Sequence, residues 1–155
     1  MGNTKFRIGI KDIKTSSAVF FSVLVSDLIH LEYPFFTAIA AIFTIESAKD
    51  TPLNAGKIRM SGSIIGALVG VALVYIKPGN AVLCGLGMMI VIYVCSIFNW
   101  DKAIAIAGVI FMAIMLNPDI KNPLKYSISR ILNTFIGIVI AVLIDYLLPS
   151  DIKQE

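Results

Sequence analysis

Arg59 and Arg130 are the residues whose type and spacing point most directly to chemistry. Each heads an apolar run punctuated by small residues, Arg59-Met-Ser-Gly-Ser-Ile-Ile-Gly-Ala-Leu-Val-Gly and Arg130-Ile-Leu-Asn-Thr-Phe-Ile-Gly, and the two lie 71 positions apart. A guanidinium keeps its charge at physiological pH and presents a planar fork of donors that fits a carboxylate bidentately. A pair of them along a pore attracts anions and repels cations; the alternative is that each snorkels to lipid phosphates. Ser63, Asn133 and Thr134, one turn beyond the arginines, can hydrogen-bond a substrate or a neighbouring helix. Asp27 and Asp145 lie inside apolar runs, where a carboxylate marks proton coupling or an ion pair.

Other chemistries find no support. One histidine and two cysteines, Cys84 and Cys95 within one apolar run, give no metal-binding spacing, and the cysteines read as small hydrophobes in a packed helix. No nucleophile–base pair is visible, and Gly62-x-x-x-Gly66 follows no strand, so a nucleotide cradle is excluded. Neither an enzyme nor a cofactor is expected. The net charge is only +3, and the basic residues are not interleaved with aromatics, which argues against nucleic acid as a partner.

The elements that must position these residues are apolar helices. The chain has 155 residues, 57% hydrophobic and 15% charged, with a mean hydropathy of +0.87. A soluble domain of this size has too little interior to hide such an excess. Six apolar runs emerge, at 13–29, 34–45, 60–76, 81–98, 103–116 and 131–148. The second and fifth are short for a span of about 20 residues. The third and sixth extend backwards, because Thr51-Pro52 and Asn122-Pro123 each read as an N-cap followed by proline at the first helical position. The fold class is therefore an all-α integral membrane protein with six transmembrane helices.

A shift of 71 aligns Pro52 with Pro123, Arg59 with Arg130, Gly66 with Gly137, Tyr75 with Tyr146 and Pro78 with Pro149. Apolar similarity alone does not supply this registered set, so the chain reads as an internal repeat, about 5–78 and 79–149, within one transmembrane domain spanning 1–150. Three helices per repeat invert the second copy, a ground plan of secondary transporters. The arginines are then expected near opposite membrane faces, each about 10 Å along its helix from the proline. Gly62, Gly66 and Gly70, and Asn133, Gly137 and Ala141, form small-residue packing seams. These seams are expected to meet at the pseudo-two-fold axis and to bring both arginines towards one cavity. With the amino terminus inside, nine Lys and Arg lie on the inner side (Lys5, Arg7, Lys11, Lys14, Lys49, Lys57, Arg59, Lys102, Lys153). Four lie outside (Lys77, Lys121, Lys125, Arg130), so both termini are expected in the cytoplasm.

Tyr33-Pro-Phe-Phe-Thr-Ala-Ile-Ala-Ala-Ile after a basic first segment, followed by the two Arg-x-x-(Gly/Asn)-(Ser/Thr)-x-x-Gly elements, resembles the bacterial aromatic acid exporter family, within the fusaric-acid-resistance-like (FUSC) superfamily. The resemblance covers about 5–149. It implies a bacterial plasma-membrane protein of six helices, exporting organic, often aromatic, carboxylate anions. It also implies a homo-oligomer, by analogy with dimeric plant malate channels, with Arg59 and Arg130 along the path. Members of that family carry a cytosolic domain after the membrane part; here residues 151–155 read as a short cytoplasmic tail. Membrane lipids are the other expected partner. Two rival readings remain at this point, a non-transporting assembly module and a protein that binds lipid phosphates.

Overall fold

Local sequence signals set the helix starts. In the computed structural model, which describes residues 9–46, 51–117 and 120–148, the Thr51 side chain accepts a hydrogen bond from the Asn54 backbone N–H and the Asn122 side chain accepts one from Lys125 N–H. Each satisfies an orphan donor at a helix start, with proline at the first helical position. Six α-helices follow one another: α1 Ile10–Leu28, α2 Pro34–Glu46, α3 Pro52–Val74, α4 Ala81–Ile97, α5 Ile104–Met115 and α6 Pro123–Leu147, with a 3₁₀ turn, Asp101–Ala103, leading into α5. These match the six apolar runs. Of these helices, α3 and α6 are long and apolar enough to cross a membrane, while α2 and α4 are shorter apolar helices. Lys5, Arg7, Lys49, Pro149, Lys153 and the tail 151–155 lie outside the described residues.

The first helix of each half ends in the same way. His30 and Asn99, 69 positions apart, both take a left-handed conformation (φ 52° and 54°) just after α1 and α4. Leu31 N–H then reaches back to Ser26 C=O, and Trp100 N–H to Cys95 C=O, closing each helix with a six-to-one bond. The ends of α1 and α4 thus share one geometry at a spacing of 69 residues.

Packing follows the same exchange. The short α5 lies against α3, and the short α2 lies against α6; α1 packs on α2 and α6, and α4 packs on α5 and α3. The long helices α3 and α6 also pack on each other. Replacing α1, α2 and α3 by α4, α5 and α6 turns every packed helix pair into another packed pair.

The small-residue seams are filled by the short helices and do not meet each other, contrary to the expectation above. A Cβ on Gly62 would press on the Ala103 carbonyl oxygen, and one on Gly66 would fall on the Ala107 carbonyl. A Cβ on Gly70 would crowd Ile114, and one on Gly137 would fall on the Thr37 carbonyl and the Ala40 methyl. Ala141 is fully buried in a cluster with Ala18 and Ala41. Backbone approaches this close require hydrogen as the side chain.

Gly66→Leu and Gly137→Leu are expected to lower stability by about 1–3 kcal/mol or to abolish folding, because overpacking here meets backbone rather than a movable side chain. Gly85→Ala, on α4 with open space around it, is expected to be neutral or stabilising. Thermal melting of the detergent-solubilised protein distinguishes the two.

Candidate functional site

The site is built on three helix starts. Pro34 opens α2, which puts Phe36 in its first turn, and the Asn122 cap opens α6, which puts Tyr126 and Arg130 one turn apart on a single face. The Arg130 guanidinium lies over the Phe36 ring at 3.5 Å and over the Tyr126 ring at 5.5 Å. Tyr33 meets Tyr126 edge-on at 5.5 Å, so the rings brace one another. Arg59, two turns inside α3, lies over Phe43 at 4.9 Å.

Phe36 and Phe43 are seven residues apart on α2, two turns or about 10 Å along its axis. Both arginines are thus drawn along one side of α2, and the charge of Arg130 acts on Arg59. Arg130 is only 6% exposed, so it is enclosed by protein. Arg59 is partly buried. The Nε of each is buried without a hydrogen-bond partner, and neither guanidinium joins an ion pair among the described residues.

Arg130 forms part of the wall of an open groove of about 800 Å³ between α4, α5 and α6, with Phe36, Tyr126, Met88, Met112, Leu116 and Asn117 among its other lining residues. That volume lies in the range of small-molecule sites. The wall is apolar apart from the guanidinium, Asn117 and the Tyr126 hydroxyl. Such a surface accommodates a compact apolar body carrying one negative group.

The other sequence-predicted residues lie elsewhere. Ser63 and Thr134, 71 positions apart, donate to the carbonyls of Arg59 and Arg130, both at 2.9 Å. Asn133 is fully buried and donates from Nδ2 to the Tyr33 carbonyl at 3.2 Å. None of the three lines the groove. Asp27 is exposed on α1, beside Leu24 and His30. Asp145 is paired with Lys14 of α1 at 2.7 Å, and Lys14 is 4% exposed. Among the described residues no group of three His, Cys, Asp or Glu side chains is arranged to hold a metal ion. Sequence reasoning missed Phe36, Phe43 and Tyr126 as partners of the arginines. Their apolar context gave no sign of it, although the i, i+4 spacing of Tyr126 and Arg130 was readable.

Residues 6–148 match the profile of aromatic acid exporter family member 1. The chain belongs to the aromatic acid exporter family. Curated relatives of this exporter-family chain include a UPF0421 protein of Staphylococcus epidermidis, 30% identical over 143 residues, covering 91% of this chain and 43% of the relative. A UPF0421 protein of Staphylococcus haemolyticus is 29% identical over 151 residues, 96% of this chain and 45% of its own length. One of Bacillus cereus is 27% identical over 139 residues, 90% of this chain and 39% of its own length. The chain thus spans less than half the length of these relatives. No solved structure matches it.

The Lys14–Asp145 pair ties α1 to α6 in a poorly solvated setting, where breaking a pair costs more than replacing it whole. Lys14→Met is expected to destabilise the exporter-family fold by more than the double substitution Lys14→Met/Asp145→Leu. A double-mutant cycle on melting temperature reads the difference.

Proposed function

We propose that this chain forms a membrane transporter or channel unit for organic, chiefly aromatic, carboxylate anions, and that the Arg130 groove receives the anion. The observation that carries the reading is a buried guanidinium with an unpartnered nitrogen on the wall of an otherwise apolar groove. A carboxylate supplies the missing hydrogen-bond and charge partner, and the Phe36 and Tyr126 rings beside it offer faces for an aromatic ring. Family membership supports export as the direction and a bacterial plasma membrane as the place. Arg59, about 10 Å further along α2, provides a second cationic station for an anion leaving the first.

The proposed topology is six spans in two inverted three-helix repeats, with both termini in the cytoplasm. Support comes from the helix packing that survives exchange of the two halves and from the identical ends of α1 and α4. The short α2 and α5 occupy corresponding positions, as broken or short helices do in transporters of this plan. A homodimer is proposed because so small a bundle leaves its groove open on one side.

Uptake of labelled benzoate into proteoliposomes, against protein-free vesicles, tests the transport reading. Arg130→Ala is expected to reduce flux at least tenfold, Arg130→Lys to retain part of it, and Arg59→Ala to reduce it less than Arg130→Ala. Equal flux in all variants removes the arginines from the path; no flux across a panel of carboxylates favours a non-transporting assembly module. Single cysteines at Lys57 and Lys121 are expected to label from opposite sides of the membrane, and labelling from one side rules out inversion.

A further inference from the structure

The Arg130 groove extends well beyond the rings that surround its guanidinium. Along α5 its wall takes about one residue per turn, Ala105, Gly108, Met112 and Leu116, a stretch of about 16 Å at 1.5 Å per residue. Met112 and Leu116 also line a second groove, of about 590 Å³, between the start of α4 and the end of α5. Its other lining residues are Gly79, Ala81, Cys84 and Gly85, and Met88 of α4 belongs to both grooves. The two spaces are therefore neighbours, and Met88 stands where they meet.

Two glycines shape that junction. Gly108 is buried on α5, and a Cβ there would lie 2.7 Å from Met88 Cε and 3.1 Å from its Sδ. The Met88 thioether thus rests in a notch that glycine leaves on α5. Gly85, one turn before Met88 on α4, is exposed, and a Cβ there would meet nothing within 4 Å. The second groove is consequently walled on α4 by backbone and by the small side chains of Ala81 and Cys84, and the chain does not fill it.

The chemistry changes along this length. At one end stands the enclosed guanidinium, with its Nε unpartnered and the Phe36 and Tyr126 rings beside it. At the other end Gly79, Ala81, Cys84 and Gly85 offer no charge. Met88 and Met112 lie between. Methionine is unbranched, with three rotatable bonds and a polarizable sulfur that packs well against aromatic edges, so it yields to an occupant. A single benzoate ring held at Arg130 leaves the second groove uncovered. A phospholipid acyl chain covers apolar wall but brings no anion to Arg130. A carboxylate at one end of an elongated apolar body matches both ends.

We infer that the two grooves form one elongated site with Met88 as its yielding partition, and that the preferred anion is an arylcarboxylate carrying an apolar substituent opposite its carboxylate. The carboxylate meets Arg130, the ring lies beside Phe36 and Tyr126, and the substituent displaces the Met88 thioether and runs along α4 over Gly85. Met88 and Gly85 thereby set specificity by the length and width of the anion. The inference rests on Arg130 being the anion site and goes beyond it by naming the shape of the anion.

Calorimetric titration of the full chain in detergent, corrected against protein-free micelles, tests it with benzoate and 4-butylbenzoate. Each buried methylene strengthens binding by about fourfold, so the wild type is expected to prefer 4-butylbenzoate by a factor on the order of ten or more. Gly85→Leu fills the second groove and is expected to remove most of that preference while leaving benzoate affinity unchanged. Ala81→Leu, filling the same groove from the neighbouring turn, replaces it if Gly85→Leu does not fold. Met88→Ala removes the partition and is expected to raise the affinity for the wider biphenyl-4-carboxylate, relative to benzoate, by about threefold or more. A purely structural effect moves all ligands together, so the ratio is the readout. Benzoate binding without a preference for the butyl compound, or a preference that the groove-filling and Met88→Ala variants leave untouched, marks the second groove as lipid-covered wall. Either result overturns the inference while the anion site stands. Arg130→Ala is expected to weaken both ligands; if it weakens neither, or the wild type binds neither, the anion site falls and this inference with it.

Discussion

The contact of Gly66 with the Ala107 carbonyl, and of Gly137 with the Thr37 carbonyl, is the constraint on which the other features depend. Between apolar helices in an apolar solvent there is little hydrophobic driving force, so association rests on dispersion and on backbones that approach closely. The two long helices provide that approach through glycine, and each offers it to the short helix of the other half. This exchange holds α2 against α6 and places Phe36 beneath Arg130. It also holds α5 against α3, so that α5 and α6 touch only sparsely. The groove lies in the gap between them.

A guanidinium enclosed at that gap is costly, since removing an ion from water carries a penalty of several kcal/mol even after relaxation. Two aromatic faces offset part of that penalty, about 2 kcal/mol for a well-desolvated cation–π contact. Such faces leave the in-plane N–H donors unused. A permanent carboxylate partner would satisfy those donors and neutralise the site. Aromatic rings stabilise the charge while keeping it available, which is the condition an anion site needs if its occupant must also leave.

The helix content, the boundaries and the capped starts of α3 and α6 were legible because each has a local cause: apolar runs, Thr51 and Asn122 as caps, and proline at the first helical position. The 71-residue match was legible for the same reason. The matching ends of α1 and α4, 69 residues apart, were not: only the left-handed turns at His30 and Asn99 disclose them. The glycine seams were readable as seams, but which helix fills them is a tertiary property that no spacing encodes. The arginines were readable as unusual. Which rings they meet was not readable, because distance along a helix axis says nothing about the direction in which a long side chain turns, and here both turn onto α2. Asp145 was readable as an ion-pair candidate, but its partner lies 131 residues away in sequence.

The two halves share a plan of helix packing and differ in chemistry at the seam of α1, α2 and α6. Phe111, Ile114 and Met115 fill the α3/α4/α5 interface with apolar volume, giving a rigid, close-packed core. The α1/α2/α6 interface instead runs from an ion pair through two alanines and two serines, with Thr37 and Asn133 opposite. A symmetric scaffold in which both seams were apolar would be simpler to stabilise. The polar groups are retained against a desolvation cost, and all of them lie on the side that ends at Arg130. The apolar seam is close-packed around Phe111, and the buried ion pair and hydroxyls gather at the other.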